Sequence, residues 1–189
     1  MVNENMVNKG RTTHYRLFPK IILITSMAVV LFDQLLKHLV RTYFESGESL
    51  HVFSGIFYLT RTENSGIAFS MLNGRTWIPI LISIIAIAII LYFYDEITDS
   101  ATAFFTGLIA GGIIGNLIDR IGFGVVLDFI DLRFWPVFNL ADAALSIGVV
   151  GLVIVSIRKS QVEIDEYDKF KEELVKSVNE SLVVRKRKI

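Results

Sequence analysis

Four stretches of this chain are apolar over about the length a helix needs to cross a lipid bilayer. A crossing takes roughly 20 mainly apolar residues, because inside hydrocarbon every backbone polar group must be satisfied within the helix itself. Ile21–Val40 carries only Asp33 and Lys37 as charges, and Thr76–Tyr94 carries none. Ala101–Ile121 is uncharged until Asp119 and Arg120, and Phe134–Ile157 holds Asp142 alone. The pattern predicts an all-α polytopic membrane protein with four transmembrane helices, at about 21–40, 76–94, 101–121 and 137–157. Composition agrees: 52% hydrophobic against 20% charged residues leaves more apolar side chains than a soluble core of this size needs. No small-x-small cleavage signal follows Val40, so the first segment reads as a retained span rather than a signal peptide.

Lys and Arg predict the sidedness. The N-terminal tail, residues 1–20, carries Lys9, Arg11, Arg16 and Lys20. The tail over 158–189 carries Arg158, Lys159, Lys169, Lys171, Lys176 and the run Arg185–Lys188. An even number of spans puts both tails on one side, and the positive-inside rule makes it the cytoplasm. The inner loop Asp95–Ser100 is acidic, but acidic residues weigh little in that rule. Of the two outer loops, Thr42–Arg75 contains Ser49–Phe53 and Ile56–Thr62, rich in β-branched and aromatic residues and separated by Ser54-Gly55. A small extracytoplasmic β-sheet between helices 1 and 2 is expected there. Ile164, Tyr167, Leu174, Val178 and Leu182 recur at helical spacing, so the C-terminal tail reads as a helix on the inner surface or self-associating.

The absences narrow the chemistry. Without cysteine there is no disulfide, thiol nucleophile or Cys-ligated metal, and three scattered histidines (His14, His38, His51) make a zinc-hydrolase site a poor reading. No metal or cofactor is expected. Nor is nucleic acid, since 19 basic residues balance 19 acidic ones.

An ionisable residue within a span is expensive, about 3 kcal/mol at the helix centre, so each is a candidate functional group. Asn116, Asp119 and Arg120 end the third span, Asn139 and Asp142 begin the fourth, Asp128 lies in the loop between them, and Asn64 belongs to the first outer loop. All fall near the outer face. Asp33 and Lys37, four apart, read first as a neutralising pair. Gly107, Gly111 and Gly115 form a small-residue stripe suited to close helix packing. Asn116 and Arg120 are either a helix–helix hydrogen bond and an interfacial anchor, or a grip on a carboxylate or substrate. Asp128 and Asp142 are either a solvated charge and a helix N-terminal complement, or two carboxylates sharing one proton, one ionised to activate water and one neutral to donate. A Ser–Lys dyad of Lys37 with Ser65 or Ser70 is a further option. A proton conduit would need polar residues continuing inward, which spans two to four lack. A scaffold packing through the glycine stripe would leave two outward aspartates unexplained.

Five ordered blocks sharpen the choice. They are Asp33-Gln34 with Lys37, Glu63-Asn64-Ser65-Gly66-Ile67-Ala68-Phe69, Gly115-Asn116-Leu117-Ile118-Asp119-Arg120, Val125–Phe129 around Asp128, and Phe138-Asn139-Leu140-Ala141-Asp142. Together, over roughly residues 20–158, they closely resemble the bacterial lipoprotein signal peptidases, signal peptidase II. The resemblance implies an inner-membrane aspartyl endopeptidase that cuts prolipoproteins just before a diacylglyceryl-modified cysteine. It implies Asp128 and Asp142 as the catalytic pair, and Asn64, Asn116, Arg120 and Asn139 as residues lining the site. Asp33, and with it Lys37 and Asp119, take structural polar roles. The first outer loop becomes a cradle sheet and Gly122–Pro136 a mobile flap. The implied partners are lipidated precursors and membrane lipid, the implied state a monomer. The long tails depart from the pattern and carry no implied role.

Overall fold

The computed structural model describes residues 17–53, 55–65 and 77–186, with side chains to 176. Gly66–Phe69 of the outer-loop block, Ser70, Arg75, Thr76, His14, the basic residues Lys9, Arg11 and Arg16, and the side chains of Val178, Leu182 and Arg185–Lys188 lie outside the described residues.

Helix α1 spans Leu17–Tyr43, followed by the hairpin β1 (Ser49–Phe53) and β2 (Phe57–Asn64). Helix α2 (Trp77–Tyr92) leads through a short 3-10 turn to α3 (Ser100–Phe123), strand β3 (Val126–Asp131) and α4 (Leu140–Lys186). Three of the helices, α1, α3 and α4, are long and apolar enough to cross a membrane. The expected second span appears as a helix of 16 residues, about 24 Å long, shorter than a full crossing. The molecule is inside-out by soluble standards. Leu23, Ile24, Leu31 and Phe32 of α1 are exposed, whereas Asp33, Lys37, Asp119 and Asn139 are fully buried.

The glycine stripe of α3 packs on α1. A Cβ at Gly111 would lie 2.7 Å from Val29 Cβ and 2.9 Å from the Ser26 carbonyl oxygen, so only hydrogen allows this approach. One end of α3 is closed by the Asp99 side chain, which accepts from the Thr102 amide at 2.8 Å. That bond gives the acidic inner loop a local purpose. The other end stops at Gly124, in the left-handed region at φ 74°, whose N–H reaches the Arg120 carbonyl. The end of α1 is tied to the sheet by Arg61 of β2, which donates to the carbonyls of Arg41 (3.2 Å) and Phe44 (2.8 Å).

The sheet corrects the expectation in two respects. It has three antiparallel strands in the order β1-β2-β3, the third drawn from the loop between α3 and α4. Asp128 therefore stands on a strand, paired with Thr62, rather than in a loop. Much of the segment expected to be a flap is strand. Strand β2 also runs two residues beyond Thr62, so Asn64 is a strand residue facing Val126 across the ladder. The sequence hides β3 because it is buried on both faces and shows no alternation. Leu127 and Phe129 pack with Val40, Phe44, Leu59 and Leu140.

The chain divides into two units after Leu152. In the second, α4 runs on to Lys186, with Ile164, Tyr167, Phe170 and Leu174 exposed along it.

Candidate active site

The α1–α3 contact brings Asp33, Lys37 and Arg41, one turn apart each, against Asn116 and Asp119. Lys37 Nζ lies 2.8 Å from Asp33 Oδ2 and 2.9 Å from Asp119 Oδ2, and donates to Asn116 Oδ1 at 3.1 Å. Its three N–H groups are all engaged, so the amine has no lone pair to act as base for Ser65. Arg41 Nη2 sits 2.9 Å from Asp119 Oδ1. The two carboxylates also hold backbone. Asp119 Oδ2 accepts the Leu127 amide at 3.2 Å, and Asp33 Oδ1 accepts the Ala141 amide at 3.0 Å. One buried ion cluster thereby fixes where β3 begins and where α4 starts.

The start of α4 is a capping box. Asn139 Oδ1 accepts the Asp142 amide at 2.9 Å, and Asp142 Oδ2 accepts the Asn139 amide at 3.3 Å. Asn116 Nδ2 donates to the other oxygen, Asp142 Oδ1, at 2.7 Å. Asp128 is held in the same manner from two sides: Asn64 Nδ2 donates to Oδ2 at 3.1 Å, and Asn139 Nδ2 donates to Oδ1 at 2.7 Å. The Asn139 amide also reaches Asn116 Oδ1 at 3.1 Å, joining the two carboxylates through asparagines. Burial, and after it the neighbouring negative charge of Asp142, push the Asp128 carboxyl up to about 7, despite the opposing hydrogen bonds from Asn64 and Asn139 and the charge of Lys37.

Both carboxylates line a cavity of about 360 Å³, with Asn64, Asn116 and Arg120 on its polar side and Trp135 and Phe138 on its apolar side. Arg120 donates to its own helix, to the Asn116 carbonyl at 3.4 Å, and its charge acts on Asp142, Asp128 and Asp119. Such an arrangement can bind a polar backbone segment and present it to a pair of carboxyl groups.

All nine residues singled out in the sequence lie in this connected region. Asp33 and Lys37 form the expected pair, but the pair extends to Asp119, Arg41 and the site asparagines. Arg41 escaped notice as a member of the cluster, although its position four residues after Lys37 is the same signal that paired Asp33 with Lys37. Gln34 was part of a sequence block without a role of its own. Its amide bonds Asp33 Oδ2 (3.2 Å) and the Gly115 carbonyl (3.1 Å), stitching α1 to α3.

The family model described as signal peptidase (SPase) II matches residues 25–158. The lipoprotein signal peptidase of Halothermothrix orenii is 41% identical over 140 residues, covering 74% of this chain and 97% of that protein. That of Moorella thermoacetica is 42% identical over 130 residues, covering 68% of this chain and 87% of its own. A bacterial membrane enzyme solved by the in meso method at 2.3 Å superposes with a TM-score of 0.70 at 30% identity, covering 74% of this chain and 88% of its own. A second, at 1.9 Å, gives 0.65 at 31% identity, covering 71% and 90%. With the match spanning every element that builds the cavity, this chain belongs to the signal peptidase II family.

Proposed function

We propose that the chain is a membrane aspartyl endopeptidase that removes signal peptides from diacylglyceryl-modified prolipoproteins, cutting just before the lipidated cysteine. The observation that carries this reading is the pair Asp128 and Asp142, held at one cavity by amide donors alone. An amide fixes a carboxyl group in place whether or not it is ionised, whereas an ion pair fixes its charge. The two groups therefore remain able to pass a proton between them and the substrate.

The ionised carboxylate takes a proton from water as the water oxygen bonds to the scissile carbonyl carbon. The protonated one stabilises the carbonyl oxygen, and the C–N bond breaks as the leaving nitrogen gains a proton. Asn64, Asn116 and Asn139 orient the carboxyls, and Arg120 at the cavity wall supplies positive charge where the carbonyl oxygen becomes negative. Asp33, Lys37 and Asp119 hold the framework. The cysteine that matters belongs to the substrate, in keeping with a chain that has none.

The reading places four spans in a bacterial inner membrane, both termini in the cytoplasm, and the site near the outer face of a monomer, with surrounding lipid and lipidated precursors as its partners. The decisive experiment incubates purified protein with lipidated and unlipidated precursors. Shortening of the lipidated one alone is expected, and failure to shorten it under conditions where the protein stays folded overturns the proposal. For sidedness, a cysteine at Ser46 should react with an impermeant thiol reagent in intact cells and one at Ser100 should not. The reverse labelling would put the site on the wrong side for an exported precursor.

A further inference from the structure

Lys37 lies outside the cavity and touches neither Asp128 nor Asp142, yet it is one side chain away from the second. Its ammonium donates to Asn116 Oδ1 at 3.1 Å, and the Asn139 amide donates to the same oxygen at 3.1 Å. With two donors aimed at that oxygen, the Asn116 amide has one acceptable orientation. The reverse would bring its NH₂ group against an ammonium and another NH₂. The NH₂ is thereby forced toward Asp142 Oδ1, at 2.7 Å. That donor favours the ionised form of Asp142.

The remaining surroundings of the two carboxyls differ in the same sense. Asp142 sits in the first turn of α4, where the helix N-terminus favours a negative charge, and it is partly exposed to the cavity. Asp128 stands on a strand, 3% exposed, with no helix end beneath it. The charges facing the pair are Lys37 from α1 and Arg120 from α3. The charge of Arg120 acts on Asp142 more than on Asp128. Arg41 is already bound to Asp119, and Asp33 and Asp119 are both bound to Lys37.

We propose that Lys37 is a positioning residue: through Asn116 it holds Asp142 as the ionised member of the pair and leaves the resting proton on Asp128. The inference rests on the aspartyl reading above and assigns the two members their starting roles. Asp142 receives the proton of the attacking water, and Asp128 first donates to the carbonyl oxygen. Without Lys37 the Asn116 amide is free to turn its oxygen toward Asp142, which repels the negative charge there.

Two measurements on the full-length protein test it. Infrared difference spectra across neutral pH should show the C=O band of a protonated carboxyl that disappears in Asp128→Asn and persists in Asp142→Asn. The opposite pattern overturns the assignment. For Lys37, the charge-balanced double variant Asp33→Asn with Lys37→Met leaves Asp119 paired with Arg41. It should insert and melt near wild type, lose about 100-fold in kcat with KM within about twofold, and shift the alkaline limb of its pH profile upward. A purely structural Lys37 would leave that limb in place. An inserted double variant with wild-type kcat and an unmoved limb overturns the proposal. Should the double variant fail to insert, Asn116→Ala decides alone, because it keeps all four charges of the cluster paired. The limb must move upward with it too, and an unmoved limb overturns the proposal. Appreciable turnover by Asp128→Asn or Asp142→Asn would instead sink the aspartyl reading itself. Inactive aspartate variants with unaltered Lys37 and Asn116 profiles sink the inference alone.

Discussion

Four aspartates meet within a few side chains of each other, and they are held in two different ways. Asp33 and Asp119 are fully buried and bound to cations, Lys37 between them and Arg41 beside Asp119. Asp128 and Asp142 are bound by Asn64, Asn116, Asn139 and one backbone amide, with no cation in direct contact. The first pair is an electrostatic clamp whose charge state is locked by its partners. The second is equally well oriented but left short of positive charge. Residue type does not separate them; the partner does. An ammonium makes an aspartate a structural bond, and an amide leaves it an acid.

The contrast breaks most visibly under single substitutions. Asp128→Asn or Asp142→Asn should each reduce turnover by about 10³-fold or more while the protein still inserts and melts at or above the wild-type temperature, because the amide keeps shape and relieves like-charge repulsion. The losses should not add in the double variant. Kinetics and thermal unfolding in detergent check both halves, and clear destabilisation by either variant would erase the distinction. Lys37→Met should do the reverse first. Leaving two buried carboxylates with one remaining cation costs about 3–5 kcal/mol, read as a lower melting temperature and poor accumulation in the membrane.

Acidity sharpens the comparison. Since the Asp128 carboxyl is held at about 7, the protonated form needed for donation is lost above that pH, and kcat/KM should fall about tenfold per pH unit on the alkaline side. Stability carries the same signature. A carboxyl raised above its ordinary value of 3.8 binds its proton more tightly in the folded protein than in the unfolded chain. Its contribution therefore favours folding least at high pH, and stability should decline as pH rises from about 4 through 7. Asp128→Asn should flatten that decline, and an equally steep one would place its origin elsewhere. The smallest effect belongs to the other end of α3. Asp99→Ala removes the cap on Thr102 and should cost about 1 kcal/mol of stability with kcat unchanged, as melting and turnover together would show.

Much of the arrangement was legible in the chain before any fold was known. The apolar segments and their rare charges announce a membrane protein, and the five blocks name the residues that meet at the cavity. Helical spacing of four pairs Asp33 with Lys37, and the same spacing applied once more would have found Arg41. What stayed hidden depended on contacts far apart in sequence. Strand β3 has no alternation to betray it, since both of its faces are covered by other elements. The 16-residue length of α2 does not show in an apolar run that continues past the helix end.

By itself the sequence determined the solvent this chain is built for, the identity of the groups at its polar end and the family it belongs to. These are properties of composition, spacing and order along one strand of residues. The tertiary structure alone decided which aspartates are neutralised and which are left acidic. That outcome depends on Lys37 reaching Asp119 and Asn116 from another helix, and on Asn139 bridging two carboxyls from different elements. Aspartates are alike in sequence, and their charge is set by the atoms within about 3 Å, which folding brings from elsewhere.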